Sequence, residues 1–421
     1  MRILVVGGGG REHAIVWALK KSEKVKDIYC APGNAGIAQL AECVPIPVSD
    51  FDELIRFAKD ASIDLVFVGP DDPLADGIVD AFEAVGIQAY GPRKNAAEIE
   101  GSKIFMKNLL RKYEIPTAKY ETFTDYETAS AYLREQSAPI VIKADGLAAG
   151  KGVTVAATLE EAEQALRDMM VDKVFGQAGS QIVIEECLIG QEMSILAFVD
   201  GETVRAMVPA QDHKPIFDGD KGPNTGGMGT YTPLPHIDQA IIDESIQNII
   251  IPTAKAMVSE GRPFRGVLFA GLMITKDGPK TIEFNARMGD PETQVVLPRL
   301  QTELIDIVLA SMNGNLDQLD IQWSDEAAVC VVVASEGYPA SYPKGRVITG
   351  LAEAEAQGAL IFHAGTAEKD GQFVTNGGRV LGIVGRGRDI AEARARAYEA
   401  VSVIDFEGKQ NRTDIAAKAL V

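Results

Sequence analysis

Short apolar runs alternate with helical patterns over the first hundred residues, and this limits the fold more than any other feature of the 421-residue chain. Residues 2–7, 27–31, 43–48, 64–69 and 87–90 read as strands, and residues 11–22, 50–60 and 72–85 as helices. Ser49 followed by Asp52 reads as a cap for the second helix. Strand–helix alternation at this spacing predicts a parallel sheet with right-handed crossovers, closed at Gly91-Pro92.

The remainder reads as about two further units of ~150 residues or fewer. Residues 121–188 form a small α+β module with an antiparallel sheet: strands at 120–123, 139–143, 152–156 and 181–187, helices at 125–136 and 159–170. A polar stretch at 211–235 holds too much Gly and Pro for a helix or strand and reads as a functional or disordered loop. A helix is predicted near 238–259, and a last unit starts near Asp325, with a strand at 329–333 and a helix at 389–403. The domain boundaries expected are therefore 1–101, 102–324 and 325–421.

A net charge of −19 argues against a nucleic-acid partner, because phosphate backbones need a basic surface. The start breaks into glycines too early for a signal peptide, and no apolar stretch approaches the ~18–20 residues of a membrane span. A cytoplasmic protein with no membrane partner is expected. Cys30, Cys43, Cys187 and Cys330 lack metal-ligand spacing and read as buried thiols.

Four constellations carry chemistry. The turn Gly7-Gly8-Gly9-Gly10-Arg11-Glu12-His13 joins the first strand to the first helix, where backbone amides and a helix N-terminus make an anion site. It is no dinucleotide fingerprint, because Glu12 or His13 falls where the third glycine belongs, so a single phosphate group fits better. In Ile140-Val141-Ile142-Lys143, a lysine ends a buried strand before the glycine loop 146–152; Lys143 can meet a nucleotide phosphate as a point charge. Gln181 to Glu192 places paired acids, Glu185 and Glu186, at a hinge suited to adenosine. In Thr281 to Arg287, strand alternation puts Glu283, Asn285 and Arg287 on one side and Ile282, Phe284 and Ala286 on the core side. Glu283 and Asn285 are hard oxygen ligands for Mg²⁺, and Arg287 can face a phosphoryl group in transfer. His13 and His213 adjoin motifs, whereas His236 and His363 are expected at the surface.

Lys103, Lys143 with its glycine loop, the Glu185-Glu186-Cys187-Leu188 hinge and Glu283-x-Asn285 resemble the ATP-grasp superfamily. Within it, the Gly7 turn, residues 143–153, Gln211-Asp212-His213-Lys214, residues 222–229, Arg287 to Glu292 and Gly377 to Gly382 resemble the phosphoribosylamine–glycine ligase family. The chain departs from that family at Met288 and Asp71, and its strand 266–275 lacks the acid that many relatives use for a further metal contact.

The resemblance implies a mixed α/β and α+β multidomain fold: a Rossmann-like N-terminal domain, an ATP-grasp core with a lid at 121–188, and a C-terminal α/β domain. It implies a stand-alone carbon–nitrogen ligase that uses ATP and Mg²⁺ or Mn²⁺ to join glycine to 5-phosphoribosylamine in purine biosynthesis. Lys103, Lys143, Gly150, Lys151, Gly152, Glu185, Glu186, Leu188 and Glu192 would hold ATP, and Glu283 and Asn285 the metal. Arg287 and Asp212 would be catalytic. Gly8, Gly9, Gly10, Asn34, Asp71, Lys214, Asn224, Gly226, Gly227 and Asp290 would line the substrate pocket. A transient contact with the enzyme that makes phosphoribosylamine is also expected. Another ATP-grasp carboxylate–amine ligase and a Rossmann oxidoreductase stand as the alternatives.

Overall fold

In the computed structural model, which describes residues 1–146 and 152–420, the first strand β1 (Arg2–Gly7) is central in a five-stranded parallel sheet. Its order is β3 (Glu42–Cys43), β2 (Asp27–Pro32), β1, β4 (Leu65–Val68), β5 (Gln88–Tyr90). Ile3 to Val6 are fully buried, as strands covered on both faces should be. The chain reverses direction across the sheet between β1 and β4, which opens a crevice at their carboxyl ends. Helix α1 (Gly10–Leu19) starts there.

Three expectations fail locally. The cap of the second helix is Asp50, whose carboxylate accepts the Glu53 amide, not Ser49. The strand foreseen at 43–48 stops at Cys43, because Pro45 and Pro47 lack the amide a ladder needs. The helix foreseen at 72–85 is two helices, Asp71–Asp76 and Ile78–Ala84, because Gly77 between them adopts a left-handed φ of +96°.

Residues Lys103–Lys112 form a helix, here α2, that leads into the small module. Its strands β6 (Tyr120–Phe123), β7 (Ile140–Ala144), β8 (Val153–Ala156) and β9 (Ile182–Glu186) pair in the order β6-β9-β7-β8, all antiparallel. The module has its own apolar core, including Leu133, Ile140, Ile142, Leu166 and Ile184, covered by helices Tyr126–Arg134 and Leu159–Met170. A second antiparallel sheet follows: β11 (Thr203–Ala206), β10 (Gln191–Asp200), β16 (Arg265–Thr275), β17 (Gly278–Asn285), in that order.

The stretch 211–235 is not a loop. It forms β12 (Gln211–Asp212), the hairpin β13 (Pro215–Phe217) and β14 (Lys221–Asn224), and β15 (Gly229–Thr232). Its glycines serve the turns: Gly219, Gly222 and Gly227 all have positive φ. β12 and β15 join the sheet of the last unit, in the order β12-β15-β18-β20-β19, where β18 is Ala327–Ser335, β19 Leu360–His363 and β20 Arg379–Gly387. The long helix near 238–259 forms, but Ile246–Ile250 is a π-helical turn just before Pro252, whose missing amide an unbroken α-helix could not absorb. Among the described residues, no helix is long and apolar enough to cross a membrane.

Candidate active site

The glycine turn at the end of β1 is shaped by Glu12. This residue is 2 % exposed, and its Oε2 accepts the Gly9 amide at 2.7 Å. A Cβ on Gly7 or Gly69 would meet the Glu12 side chain at 2.5 and 2.1 Å, so both positions require glycine. The Gly8 backbone lies so close to Gly33 that a Cβ would come within 2.5 Å of the Gly33 carbonyl. At Gly9 a Cβ would meet only side-chain ends, Glu12 Oε2 at 3.0 Å and Asp290 Oδ2 at 3.4 Å. Asn34 was expected to touch substrate. Instead its Nδ2 donates to the carbonyls of Gly8 and His363, and its Oδ1 accepts from Gly36 and Ile37. It fixes the turn, with no polar capacity left over.

The turn after β17 packs on the same spot. Asp290 accepts from Gln294 Nε2 at 2.8 Å and pairs with Arg379 at 3.4 Å. Burial raises its carboxyl, but Arg379 and Arg11 outweigh burial and hold it below the usual range. Arg379 also donates to the carbonyls of Gly226, Gly227 and Asp290, clamping the 226–227 turn to this site. Asn224 is exposed on its hairpin.

Arg287 has its fork engaged by Glu100 at 3.0 Å, Asn285 Oδ1 at 3.2 Å and the Met288 carbonyl at 3.2 Å. Asp71 lies 3.9 Å from it, which makes Asp71 a partner of Arg287 in this arrangement. Burial pushes the Glu100 carboxyl up to about 7, against the pull of Arg287.

β17 carries the metal-type ligands, with one departure from simple alternation. Gly271 faces Glu283 and Leu272 faces Thr281, so Ile282 is an extra residue in a bulge. Thr281 is therefore buried, and Ile282 is half-exposed instead of lying in the core as alternation predicts. The bulge re-aims the strand. The Ile282 carbonyl accepts from Lys143 Nζ at 3.2 Å, and Glu283 Oε1 lies 3.7 Å from Lys214 Nζ. Burial raises the Glu283 carboxyl, but Lys214, Lys143, Lys103 and Arg287 together hold it low, so it stays a carboxylate. A carboxylate and an amide oxygen suit a hard divalent cation. Among the described residues no group of three or more His, Cys, Asp or Glu could hold a metal ion.

Lys103 donates to the Gly146 carbonyl at 2.8 Å. Glu186 accepts the Lys119 amide at 3.0 Å and lies 3.5 Å from Lys280. Glu192 lies 3.8 Å from Lys214, Leu188 is half-buried, and Gly152 accepts the Ala144 amide. Glu185 corrects the adenosine expectation: it is 5 % exposed, with one oxygen 2.5 Å from Lys107 and the other 2.5 Å from Lys143. Buried and paired with two ammonium groups, it does not present its carboxylate to a ribose in this arrangement. Gly150 and Lys151 lie outside the described residues.

Asp212 and Glu292 face the junction of the two clusters. Burial and the neighbouring Glu292 push the Asp212 carboxyl well above its usual range, and burial likewise raises Glu292, which is 4 % exposed. Lys214 is the cation they share. Sequence reasoning assigned no role to Lys107, Glu100, Glu292 or Arg379. The last two lie in motifs it had singled out, and Lys107 stands one helical turn after Lys103, on the same face. Glu100 carried no signal. His363, expected at the surface, is 4 % exposed, and its backbone amide donates to His13 Nδ1 at 2.8 Å.

Models of the phosphoribosylglycinamide synthetase family match nearly all of this arrangement: its N domain at residues 1–100, its ATP-grasp (A) domain at 101–293 and its C domain at 328–418. The chain is 51 % identical over 420 residues to a phosphoribosylamine–glycine ligase of Halalkalibacterium halodurans, covering 100 % of this chain and 97 % of that one. It is 52 % identical over 417 residues to the ligase of the same name from Caldanaerobacter subterraneus, covering 99 % and 100 %. The crystal structure of phosphoribosylamine–glycine ligase from Thermotoga maritima superposes with a TM-score of 0.87 at 36 % identity, covering 99 % of this chain and 100 % of that one.

Proposed function

The chain belongs to the phosphoribosylglycinamide synthetase family, and from that premise we propose that it joins glycine to 5-phosphoribosylamine at the expense of ATP. The products are glycinamide ribonucleotide, ADP and phosphate, and the step belongs to purine biosynthesis. A carboxylate is a poor electrophile. Transfer of the γ-phosphoryl group to glycine gives glycyl phosphate, in which phosphate is a good leaving group. The amine of phosphoribosylamine attacks that carbonyl, the C–N bond forms, and phosphate departs.

The protein's part is positioning and charge. Lys103 and Lys143 face the nucleotide phosphates. Glu283 and Asn285 would hold Mg²⁺ or Mn²⁺, which when bound with the nucleotide neutralises charge on its phosphates. Arg287, steadied by Glu100, stands beside Asn285. Asp212 and Glu292 receive the ammonium of glycine, and Lys214 lies between them and Glu283. Keeping that ammonium protonated leaves phosphoribosylamine as the only nucleophile. The Gly8–Gly10 turn, at the N-terminus of α1, meets the sugar phosphate. Residues 121–188 act as a lid over the nucleotide. A cytoplasmic setting and a transient contact with the enzyme that supplies phosphoribosylamine belong to the same proposal.

One observation carries this reading: nucleotide-side and acceptor-side cations converge on adjacent residues of β17, Lys143 at Ile282 and Lys214 at Glu283. An acceptor screen tests it. ADP should appear only when ATP, glycine and freshly made phosphoribosylamine are all present. Equal turnover with a different carboxylate would assign the chain to another ligase chemistry.

A further inference from the structure

Lys107 plays no part in the reaction as set out above, yet it is the most deeply buried lysine among the described residues, with 0 % of its surface exposed. Its ammonium lies 2.5 Å from Glu185 Oε2 and donates to Thr117 Oγ1 at 2.7 Å. The Thr117 hydroxyl in turn donates to the Thr281 carbonyl at 2.8 Å. Glu185 Oε1 lies 2.5 Å from Lys143 Nζ, which reaches the Ile282 carbonyl. One carboxylate thus links α2, the β7 and β9 strands of the small module, and the strand that carries Glu283 and Asn285.

Burying two ammonium groups and a carboxylate is strongly unfavourable unless every charge is compensated. A lone Glu185–Lys143 pair would be neutral, and Glu185 would compete with any phosphate for that lysine. A second lysine behind Glu185 changes the balance: the triad carries a net positive charge, and Lys143 has only part of the carboxylate to itself. We propose that Lys107 is a positioning residue for nucleotide binding, holding Glu185 from behind so that Glu185 aims Lys143 along β17 without cancelling its charge. This rests on the reading of Lys143 as a phosphate ligand.

The charged groups facing Lys107 are Glu185 and Glu186 on β9 and Lys143 on β7, with the Tyr120 ring of β6 5.4 Å away. Burial lowers its ammonium to about 8, partly opposed by Glu185. Above that pH the proton leaves, Glu185 turns wholly to Lys143, and the site loses one positive charge. Nucleotide affinity should fall with it.

The test is the affinity for the magnesium complex of a non-hydrolysable ATP analogue, measured by calorimetry between about pH 7 and 9.5. Wild-type affinity should decline through this range. Lys107→Met should bind roughly tenfold or more weakly at neutral pH, as expected for loss of a charged hydrogen bond, and should lose the alkaline decline. Its KM for glycine should change little. Wild-type affinity that stays flat across the range overturns the proposal without any variant. Wild-type affinity in a folded Lys107→Met overturns it too. If Lys143→Ala is weakened at the same time, the phosphate role of Lys143 survives; if neither variant is weakened, both ideas fall.

Discussion

Glu283 remains ionised in a place that would otherwise neutralise it, because three lysines and Arg287 counter its burial. Replacing it with glutamine removes that charge and little packing. Glu283→Gln should therefore lower kcat by about 10²–10³, the usual cost of one preorganised charge contact, with an unchanged melting temperature. Arg287→Ala should differ in kind. It takes the cation from Glu100, which is already raised to about 7, so turnover and melting temperature should fall together. Steady-state kinetics beside thermal melts separate the two, and a tenfold or smaller loss for both would make this strand face a solvated surface. Residue types at short spacing made Glu283, Asn285 and Lys143 legible in the sequence. The same information misassigned Glu185, because its second lysine comes from a helix over seventy residues earlier, and local spacing holds no record of that contact.

Elements with a strong period were read well. The strands and helices of residues 120–186 end within two residues of their expected bounds, since each alternates or repeats cleanly and is flanked by turn residues. The stretch 211–235 was misread for the opposite reason: its short strands carry Gly and Pro at hairpin turns and pair mostly with one another, and the partner that ties β15 into a larger sheet, β18, lies beyond residue 326. The glycine turn after β1 was legible as a tight turn that opens a helix, but only the structure distinguishes its members. Gly8 abuts a backbone carbonyl that cannot yield, whereas Gly9 abuts two side-chain ends. Gly9→Ala should fold and raise KM for phosphoribosylamine more than KM for ATP. Gly8→Ala should lose stability first. Equal rises in both KM values for Gly9→Ala would take the sugar phosphate away from this turn.

At the scale of the molecule, the first and last units meet through buried histidines. His13 on α1 accepts the His363 amide, and burial lowers the two imidazoles to about 3 and about 4 from 6.5. A histidine with a depressed folded pKa contributes stability above its unfolded value and loses it as the pH falls toward the folded one. His13→Asn keeps an acceptor but cannot titrate. The stability advantage of the wild type over this variant should shrink by up to about 2 kcal/mol between pH 7 and pH 5 in urea unfolding. An advantage independent of pH would mean that His13 is not held neutral. The whole arrangement serves one chemical claim, that the nucleotide cleft phosphorylates glycine before the sugar amine attacks. Glycine labelled with ¹⁸O in its carboxylate tests this directly. One labelled oxygen per turnover should appear in the inorganic phosphate, alongside ADP. Unlabelled phosphate, or AMP with pyrophosphate, would contradict the acyl-phosphate route.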